Sequence, residues 1–577
     1  MSVVSAQISL DHRSWLIKFA ERFSSIITSE SKVGYRRSGI ALLAIFTPVA
    51  IIECALGAPP IVGPWNVLLL LDGAWRIVNG QVPETDFYSP IGPMTDLFTA
   101  FGMKIAPPSA SAITYGVVFL AALLVPFVWR IAKDRLPWAH ALLCTILAGT
   151  YLLSPRPPGH PLRNTGYAMI YNRESYVVFL ALCLCLFLER RARARWSEYT
   201  DGAFAGLLLA LLLYWKITYF VAAVGVTIAA AFLIPKLRKF YLAAAVASAG
   251  VCAALFLFFR ISLPRYLASL VYAVKAQSPD MRYKLLWESL ANNAMWIYLF
   301  CFCLALLSWK WSQPMTPRSR SKTPRFAIAR IWFVAVALIA ATCFIESGNS
   351  SQGGGLEDPL YFTTALIAFE LFRRIDRERV AAPGSSDRVA YAASFALLLP
   401  LLFGTIILDD VVSYVYTVAW DCIRRPNTPA SQRIDSAQLS DFHVPPGTEH
   451  ITSYWPARDL PAHINDGIHL LRRNLHSGES VTTLGYGNPF SFALGLKPAR
   501  DRILFWDLHV TFDSKNPPSA DEFLGNTTVV MVPRLLDRSK GWGFQTFDTM
   551  MALYGEYLRD HFQEVESTGS WTMYRRK

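Results

Sequence analysis

Charge is what this chain of 577 residues has least of. Asp, Glu, Lys and Arg make up 17 % of it, against roughly a quarter in an ordinary soluble protein. The hydrophobic fraction is 53 % and the mean hydropathy +0.31, which excludes a large soluble enzyme and points to a polytopic membrane protein. A cleavable signal peptide is missing as well: "MSVVSAQISLDHRSWLIKFAERF" is polar and mixed, and the first apolar run starts near Ile40. No CxxC pattern occurs among the nine cysteines. Eight of them (Cys54, Cys144, Cys183, Cys185, Cys252, Cys301, Cys303, Cys343) lie in or beside apolar runs and only Cys422 lies well outside, so neither a thiol metal site nor a disulfide framework is expected. No internal repeat is visible.

Apolar runs recur through the first 410 residues, and several reach the length of about 20 residues that a bilayer crossing needs. Eleven spans are expected, near 38–57, 109–129, 136–153, 175–189, 202–217, 218–235, 240–259, 293–311, 326–345, 359–373 and 389–408. Basic residues fall on every second connection: Arg36/Arg37, Arg130/Lys133/Arg135, Arg190/Arg191/Arg193/Arg195, Lys236/Arg238/Lys239, "KWSQPMTPRSRSKTPRFAIAR" and "RRIDRER". The positive-inside rule assigns these to the cytoplasm. The net charge of +13 is therefore an orientation signal, and no nucleic-acid partner is expected. The opposite side receives 58–108, 154–174, the turn at Lys216, 260–292, 346–358 and everything after Asp409. The apolar segment 91–106 must then lie at the outer surface or re-enter.

Residues 411–577 hold no span-length apolar run. "INDGIHLLRRNL" and "TFDTMMALYGEYLRDHF" have helical periodicity. "SVTTLG", "RILFWD" and "TVVMVPR" read as short buried strands, and "QEVESTGSWTMYRR" as a hairpin around Thr568–Gly569. The expected fold is a polytopic helical membrane protein with a C-terminal α/β extracytoplasmic domain. It divides into a cytoplasmic segment 1–37, a transmembrane domain 38–410 and the tail 411–577.

The unusual polar residues gather on the outer side. In "LLLLDGAWRIVNGQVPETDFYSPIGPM" (68–94), Asp72 and Arg76 stand four apart on one face of a short amphipathic helix, and Glu84, Asp86 and Tyr88 follow in an irregular loop. Ionisable groups at a membrane border are costly unless paired or functional; a structural Asp72–Arg76 pair is the alternative to a functional acid. "SPRPPGHPLRNTGYAMIYNRES" (154–175) packs His160, Arg163, Asn172, Arg173 and Glu174 into one outer loop, where simple solvation competes with function. Lys216 in "LLYWKITYF" is a lone cation between apolar helices, placed either to hold a ligand or to snorkel. "IESGNSSQGGGLEDP" (345–359) carries Glu346, Asn349 and Gln352. Cations at a membrane surface suit a lipid phosphate, and a carboxylate suits proton removal from a hydroxyl.

The opening stretch resembles the first outer loop of the GT-C superfamily of membrane glycosyltransferases, in the branch of protein mannosyltransferases, aminoarabinose transferases and rhizobial galacturonosyltransferase-like proteins. A family pattern of an acid, then G-x-x-P-x-x-D-F-x-x-P-x-G-P, reads here "DGAWRIVNGQVPETDFYSPIGP"; "YNR" (171–173) and "WKITYF" (215–220) add weaker pieces. The resemblance covers most of residues 38–410. It implies an inverting transferase that moves a sugar from a polyprenyl-phosphate donor to an envelope glycan, lipid or protein, in a bacterial inner membrane with the tail in the periplasm. In many members the acid lies about twenty residues before the "DF"; that position is Asn66 here, which cannot be a base. The catalytic candidates are therefore Asp72, then Asp86, then Glu84. Lys216, Arg173 and Arg163 are the candidates for the donor phosphate, and Arg76, Tyr88, His160, Asn172, Glu346, Asn349 and Gln352 for acceptor or loop contacts. No cofactor is assigned; a divalent metal stays open, since Asp72 and Asp86 alone are a thin ligand set. A transporter or flippase of a lipid-linked sugar and a non-catalytic envelope scaffold are the rival readings, the first opposed by the absent repeat and the second favoured by Asn66.

Overall fold

The computed structural model describes residues 31–577 except 60–62, 90, 156–165, 168, 193–195, 234–237, 278, 313–322, 349–357, 380–403, 405, 421, 424–431, 445–450, 453–454, 457–458, 501–502 and 535–542. Helices dominate: α1 Lys32–Leu56, α2 Pro64–Val78, α3 Pro93–Ile105, α4 Ala112–Lys133, α5 Trp138–Leu153, α6 Ile170–Phe187, α7 Ser197–Trp215, α8 Ile217–Leu233, α9 Arg238–Phe259, α10 Leu263–Ala276, α11 Pro279–Asn292, α12 Ala294–Ser312, α13 Thr323–Ser347 and α14 Asp358–Arg379. Residues 406–420 are helical too. Ten of the expected spans each fall on one of these helices, and the eleventh, 389–408, lies almost entirely outside the described residues. By length and composition five helices qualify to cross a membrane: α1, α4, α6, α9 and α13. A sixth is added if Tyr283–Asn292 and Ala294–Trp309, bent by 59°, form one span. Helices α5 and α8 are apolar but shorter.

The basic connections converge at one end of these helices. Arg191 binds the Asp134 and Lys133 carbonyls through its backbone N–H and its guanidinium and stacks over Tyr35 at the start of α1. Arg135 and Arg190 share Asp201, and Arg374 donates to the Arg135 and Glu189 carbonyls. The orphan carbonyls that end α4 and α6 are thus capped by guanidiniums. At the opposite end α3, thirteen residues long, does not span. It lies between α2 and α4, where a Cβ on Gly102 would run into the Ala112 carbonyl and one on Gly116 would meet the Phe98 carbonyl at 2.5 Å. Backbones this close hold α3 in place.

In the tail, α15 Leu460–Asn474 and α16 Gly543–His561 pack against a four-stranded sheet of order β1–β2–β4–β3, with β1 Val481–Thr483, β2 Val529–Pro533, β3 Phe562–Ser567 and β4 Trp571–Arg576. β1 and β2 run parallel, and the other pairs are antiparallel. All five residues of β2 are buried, as a central strand with apolar side chains on both faces requires. The expected hairpin around Thr568–Gly569 is β3–β4. The expected strand "RILFWD" is not one: its Ile503 makes a single bridge to Tyr88 of the first outer loop, because its partner is a distant loop and not a neighbouring strand.

Candidate active site

Helix α2 opens with Pro64 at its first turn, a position that tolerates the missing N–H, and buries Leu68–Leu71. The 3.6-residue repeat sets Asp72 and Arg76 one turn apart, and Arg76 Nε donates to Asp72 Oδ2 at 2.9 Å with both side chains 1 % exposed. The guanidinium also donates from Nη1 to the Ala499 carbonyl at 3.1 Å and stands 5.6 Å from the Phe87 ring centroid. Gln81 reaches the Pro498 and Ala499 carbonyls, Trp75 Nε1 the Leu496 carbonyl, and the Leu504 N–H the Tyr88 carbonyl. Leu496, Pro498, Ala499 and Leu504 of the tail therefore strap the end of α2 and the loop after it, satisfying backbone groups that a buried loop cannot leave unpaired.

Within the loop Asp86 accepts from the Val82 N–H at 2.8 Å and lies 3.7 Å from Arg500, so it closes the "PETD" turn. Glu84 adopts φ 64, an uncommon value for a residue with a Cβ. It is buried, its carboxylate accepts from the Ser89 N–H at 3.3 Å, and burial pushes its pKa up to about 8, against weaker relief from Ser269 and Ser89. Tyr88 is buried edge-on to Tyr272 at 6.2 Å; its hydroxyl has no hydrogen bond among the described residues, and burial raises its pKa well above the ordinary phenol value.

Two acids not chosen from the sequence complete the cluster. Asp96 on α3 is fully buried with neither carboxylate oxygen in hydrogen-bonding geometry among the described residues; the Ser89 side chain stands near but outside it. Its Oδ1 would lie 2.7 Å from a Cβ on Gly73, so the carboxyl rests on the glycine that follows Asp72. Burial first, then Ser89 in opposition and the charges of Asp72 and Glu174, move its pKa up to about 8. Glu174 Oε2 accepts from Thr95 Oγ1 at 2.6 Å and Trp215 Nε1 at 2.7 Å. The signal available for Asp96 was a single acid in the apolar helix "PMTDLFTAF", with a glycine facing it. Asn172, Arg173 and Glu174 are not loop residues as expected: they form the buried first turn of α6, which starts after Met169 turns the chain at φ 56.

The expected cations separate. Arg173 is 2 % exposed, donates to the Ser154 carbonyl, lies 3.8 Å from Asp410 and stacks 4.9 Å from Tyr151, so it is a buried junction between α6, the end of α5 and helix 406–420. Lys216 is the one non-helical residue between α7 and α8 and half-buried, with Nζ 4.4 Å from the Tyr171 ring centroid. No carboxylate pairs with it among the described residues. In the tail, Asp507 is half-buried with no partner for its carboxylate among the described residues, and burial pushes its pKa up to about 7. Asn172 is fully buried and neither amide atom has a partner among the described residues. Glu346 lies apart, accepting from Ser289 and from Asn293 Nδ2 at 2.7 Å, where it fastens the break between α11 and α12. His160, Arg163, Asn349 and Gln352 lie outside the described residues. No group of three or more His, Cys, Asp or Glu among the described residues is placed to hold a metal.

No protein-family model and no curated protein matches the chain. Among solved structures, the chain is similar to ArnT from Cupriavidus metallidurans in the apo state, at 13 % identity and a TM-score of 0.46 over 93 % of this chain and 98 % of that one. It is similar also to the same protein bound to undecaprenyl phosphate, at 12 % identity and a TM-score of 0.46 over 92 % and 98 %. The likeness thus extends along nearly the whole of both chains.

Proposed function

We propose that this chain is an inverting glycosyltransferase of a bacterial inner membrane, which moves a sugar from a polyprenyl-phosphate donor to an envelope glycan, lipid or protein on the periplasmic face. The observation that carries the reading is Lys216: a half-buried cation with no carboxylate partner among the described residues, seated where two apolar helices meet, at the end of the molecule that also holds four buried acids. Burying an ammonium without a counter-ion is costly, and an anionic headgroup would supply the missing charge. The gathering of Arg135, Arg190, Arg191 and Arg374 from the basic connections at the other end supports the orientation.

Asp72 is the proton acceptor in this reading. Arg76 one turn on keeps it ionised, and the strap at Ala499 fixes the guanidinium. The acceptor hydroxyl loses its proton to Asp72 as its oxygen bonds to the anomeric carbon. The bond from that carbon to the phosphate oxygen breaks, and its electron pair leaves with the phosphate, opposite Lys216, where fixed positive charge is most effective. Asp86 serves the turn, and Arg173 the packing of α6 against helix 406–420.

The test is transfer by purified protein from radiolabelled polyprenyl-phosphate sugars to envelope acceptors. Asp72→Asn keeps the shape and removes the base, so transfer should fall by about 10²–10⁴ while polyprenyl-phosphate binding stays. Transfer at the parent rate by Asp72→Asn removes Asp72 from the role; movement of intact donor across vesicles, with no transfer, returns the flippase reading.

A further inference from the structure

The connection between α9 and α12 carries two short helices, α10 and α11, of fourteen residues each. Fourteen helical residues measure about 21 Å, too little to cross a hydrocarbon core of about 30 Å. Yet α10 is apolar on two faces. One packs on protein: Tyr266 stacks on Tyr214 at 5.3 Å, its hydroxyl donates to the Leu213 carbonyl at 2.7 Å, and Leu270 and Ala273 are buried. The other is bare: Leu267, Val271 and Val274, spaced i, i+4, i+7 along one stripe, are 45, 54 and 50 % exposed. On α11 Tyr283, Trp287 and Leu290 repeat the spacing and are exposed too, while Ser289 holds Glu346 on the inner side. Contiguous apolar surface of this kind marks a partner. The chain on both sides is bare in the same way, with Phe256, Leu257 and Phe258 exposed at the end of α9 and Met295, Tyr298 and Phe302 along α12, and α9 qualifies to span a membrane. Residues 260–292 also hold five cations, Arg260, Arg265, Lys275, Arg282 and Lys284, against two acids, Asp280 and Glu288. Lys284 pairs with Glu288 at 3.7 Å. Arg260, Arg265 and Lys275 are exposed and make no ion pair among the described residues. This excess lies at the acid-cluster end, where the positive-inside rule expects few basic residues, so it is not an orientation signal.

We propose that the outward faces of α10 and α11 are a docking surface for anionic phospholipid in the leaflet at the acid-cluster end. The apolar stripes sink about 5–10 Å into the boundary between headgroups and acyl chains, as interfacial helices do. Arg260, Arg265 and Lys275 lay their stems along that surface and bring their charges to the lipid phosphates, each cation contributing roughly fivefold in affinity for an anionic surface. A second copy of the chain could cover the stripes, but a symmetric contact would set these cations against their own counterparts, whereas anionic lipid neutralises them. The surface does not depend on the transfer reaction. It does join the bilayer to the candidate site, because Tyr272 of the same helix stands edge-on to Tyr88 of the first outer loop.

The test uses the full-length protein with its native thiols replaced and a fluorophore attached at Val271→Cys, in vesicles of equal parts phosphatidylcholine and phosphatidylglycerol. Bromine, a contact quencher, is carried on the acyl chains of one lipid or the other. Both should quench, and brominated phosphatidylglycerol should quench more, with a local enrichment of about fivefold or above. Replacing Arg260, Arg265 and Lys275 together by glutamine should make the two lipids quench equally. Salt at about 1 M, which shortens the screening length to about 3 Å, should do the same to the parent protein without any substitution. Quenching by aqueous iodide and by neither lipid puts the stripe in water and overturns the proposal. Equal quenching by the two lipids in the parent at low salt, or a preference that survives both salt and the triple substitution, overturns the anionic partner. Quenching by both lipids that fades as the protein-to-lipid ratio rises gives the face to a second copy and overturns it as well.

Discussion

Replacing Gly73 by alanine tests the contact between α2 and α3 at the centre of the acid cluster. The added methyl would stand 2.7 Å from Asp96 Oδ1, 2.8 Å from its Cγ and 3.1 Å from Oδ2. Asp96 is short and fully buried, and its helix cannot back away, because the Gly102–Ala112 and Gly116–Phe98 approaches already bring α3 and α4 into backbone contact. Overpacking of this kind costs about 1–3 kcal/mol, while alanine gains about 1 kcal/mol over glycine inside a helix. The net loss should reach about 2 kcal/mol at most, read as a lowered melting transition in detergent. In an Asp96→Ala background the clash is gone and only the helix gain remains, so the same Gly73→Ala change should raise the transition. The coupling between the two sites is then about 1–3 kcal/mol, of the size that touching residues show in double-mutant cycles. If Gly73→Ala costs the same in both backgrounds, Asp96 does not lie against Gly73 and the account of the cluster is wrong.

Three further outcomes are expected. Asp96 and Glu84 have folded pKa values of about 8 against about 4 unfolded, so the folded state binds more protons between these limits. Stability is then full below about pH 4 and is lost as pH rises through about 8, with a slope of up to about 1.4 kcal/mol per pH unit for each group; Asp96→Asn should flatten the fall in melting temperature between pH 5 and 8, and an unchanged slope would remove Asp96 from that titration. Asp86→Asn keeps one acceptor for the Val82 N–H and should lower the melting transition and transfer together; a folded but inactive variant would instead make Asp86 a catalytic candidate. With the native thiols replaced, Thr85→Cys and Ser514→Cys, both exposed, should react with an impermeant reagent on intact spheroplasts, and Trp196→Cys only after lysis; labelling of Trp196→Cys before lysis contradicts the orientation.

The helices were legible because apolar length and alternating basic loops are local signals. The hairpin around Thr568–Gly569 was legible for the same reason, its two strands and turn being contiguous. What escaped was non-local. "RILFWD" has strand composition, but its bridge to Tyr88 spans the chain, and composition does not record a partner. Asp96 escaped because one acid in an apolar helix has no period of its own; only the packing of α3 on Gly73 gives it a role. Asn172–Glu174 read as a loop because polar residues crowd there, whereas Glu174 is held by Thr95 and Trp215 on other helices, a contact that no local pattern records. Asp72 and Arg76 needed only the helical repeat, and their pairing was one of the alternatives read from it.

The strap has a consequence for how the molecule comes into being. Arg76 and the Ala499 carbonyl are 423 residues apart, and at synthesis rates of about 5–20 residues per second the second arrives about 20–80 seconds after the first. Until then Arg76 has Asp72 but not its carbonyl, Gln81 has neither acceptor, and the Tyr88 carbonyl waits for Leu504. The first outer loop is thus laid down early and completed last, by the final quarter of the polypeptide. A nascent chain stopped before residue 496 would hold all the acids of the cluster and none of the backbone that seats them, and that ordering keeps the site unfinished until Leu504 has been made.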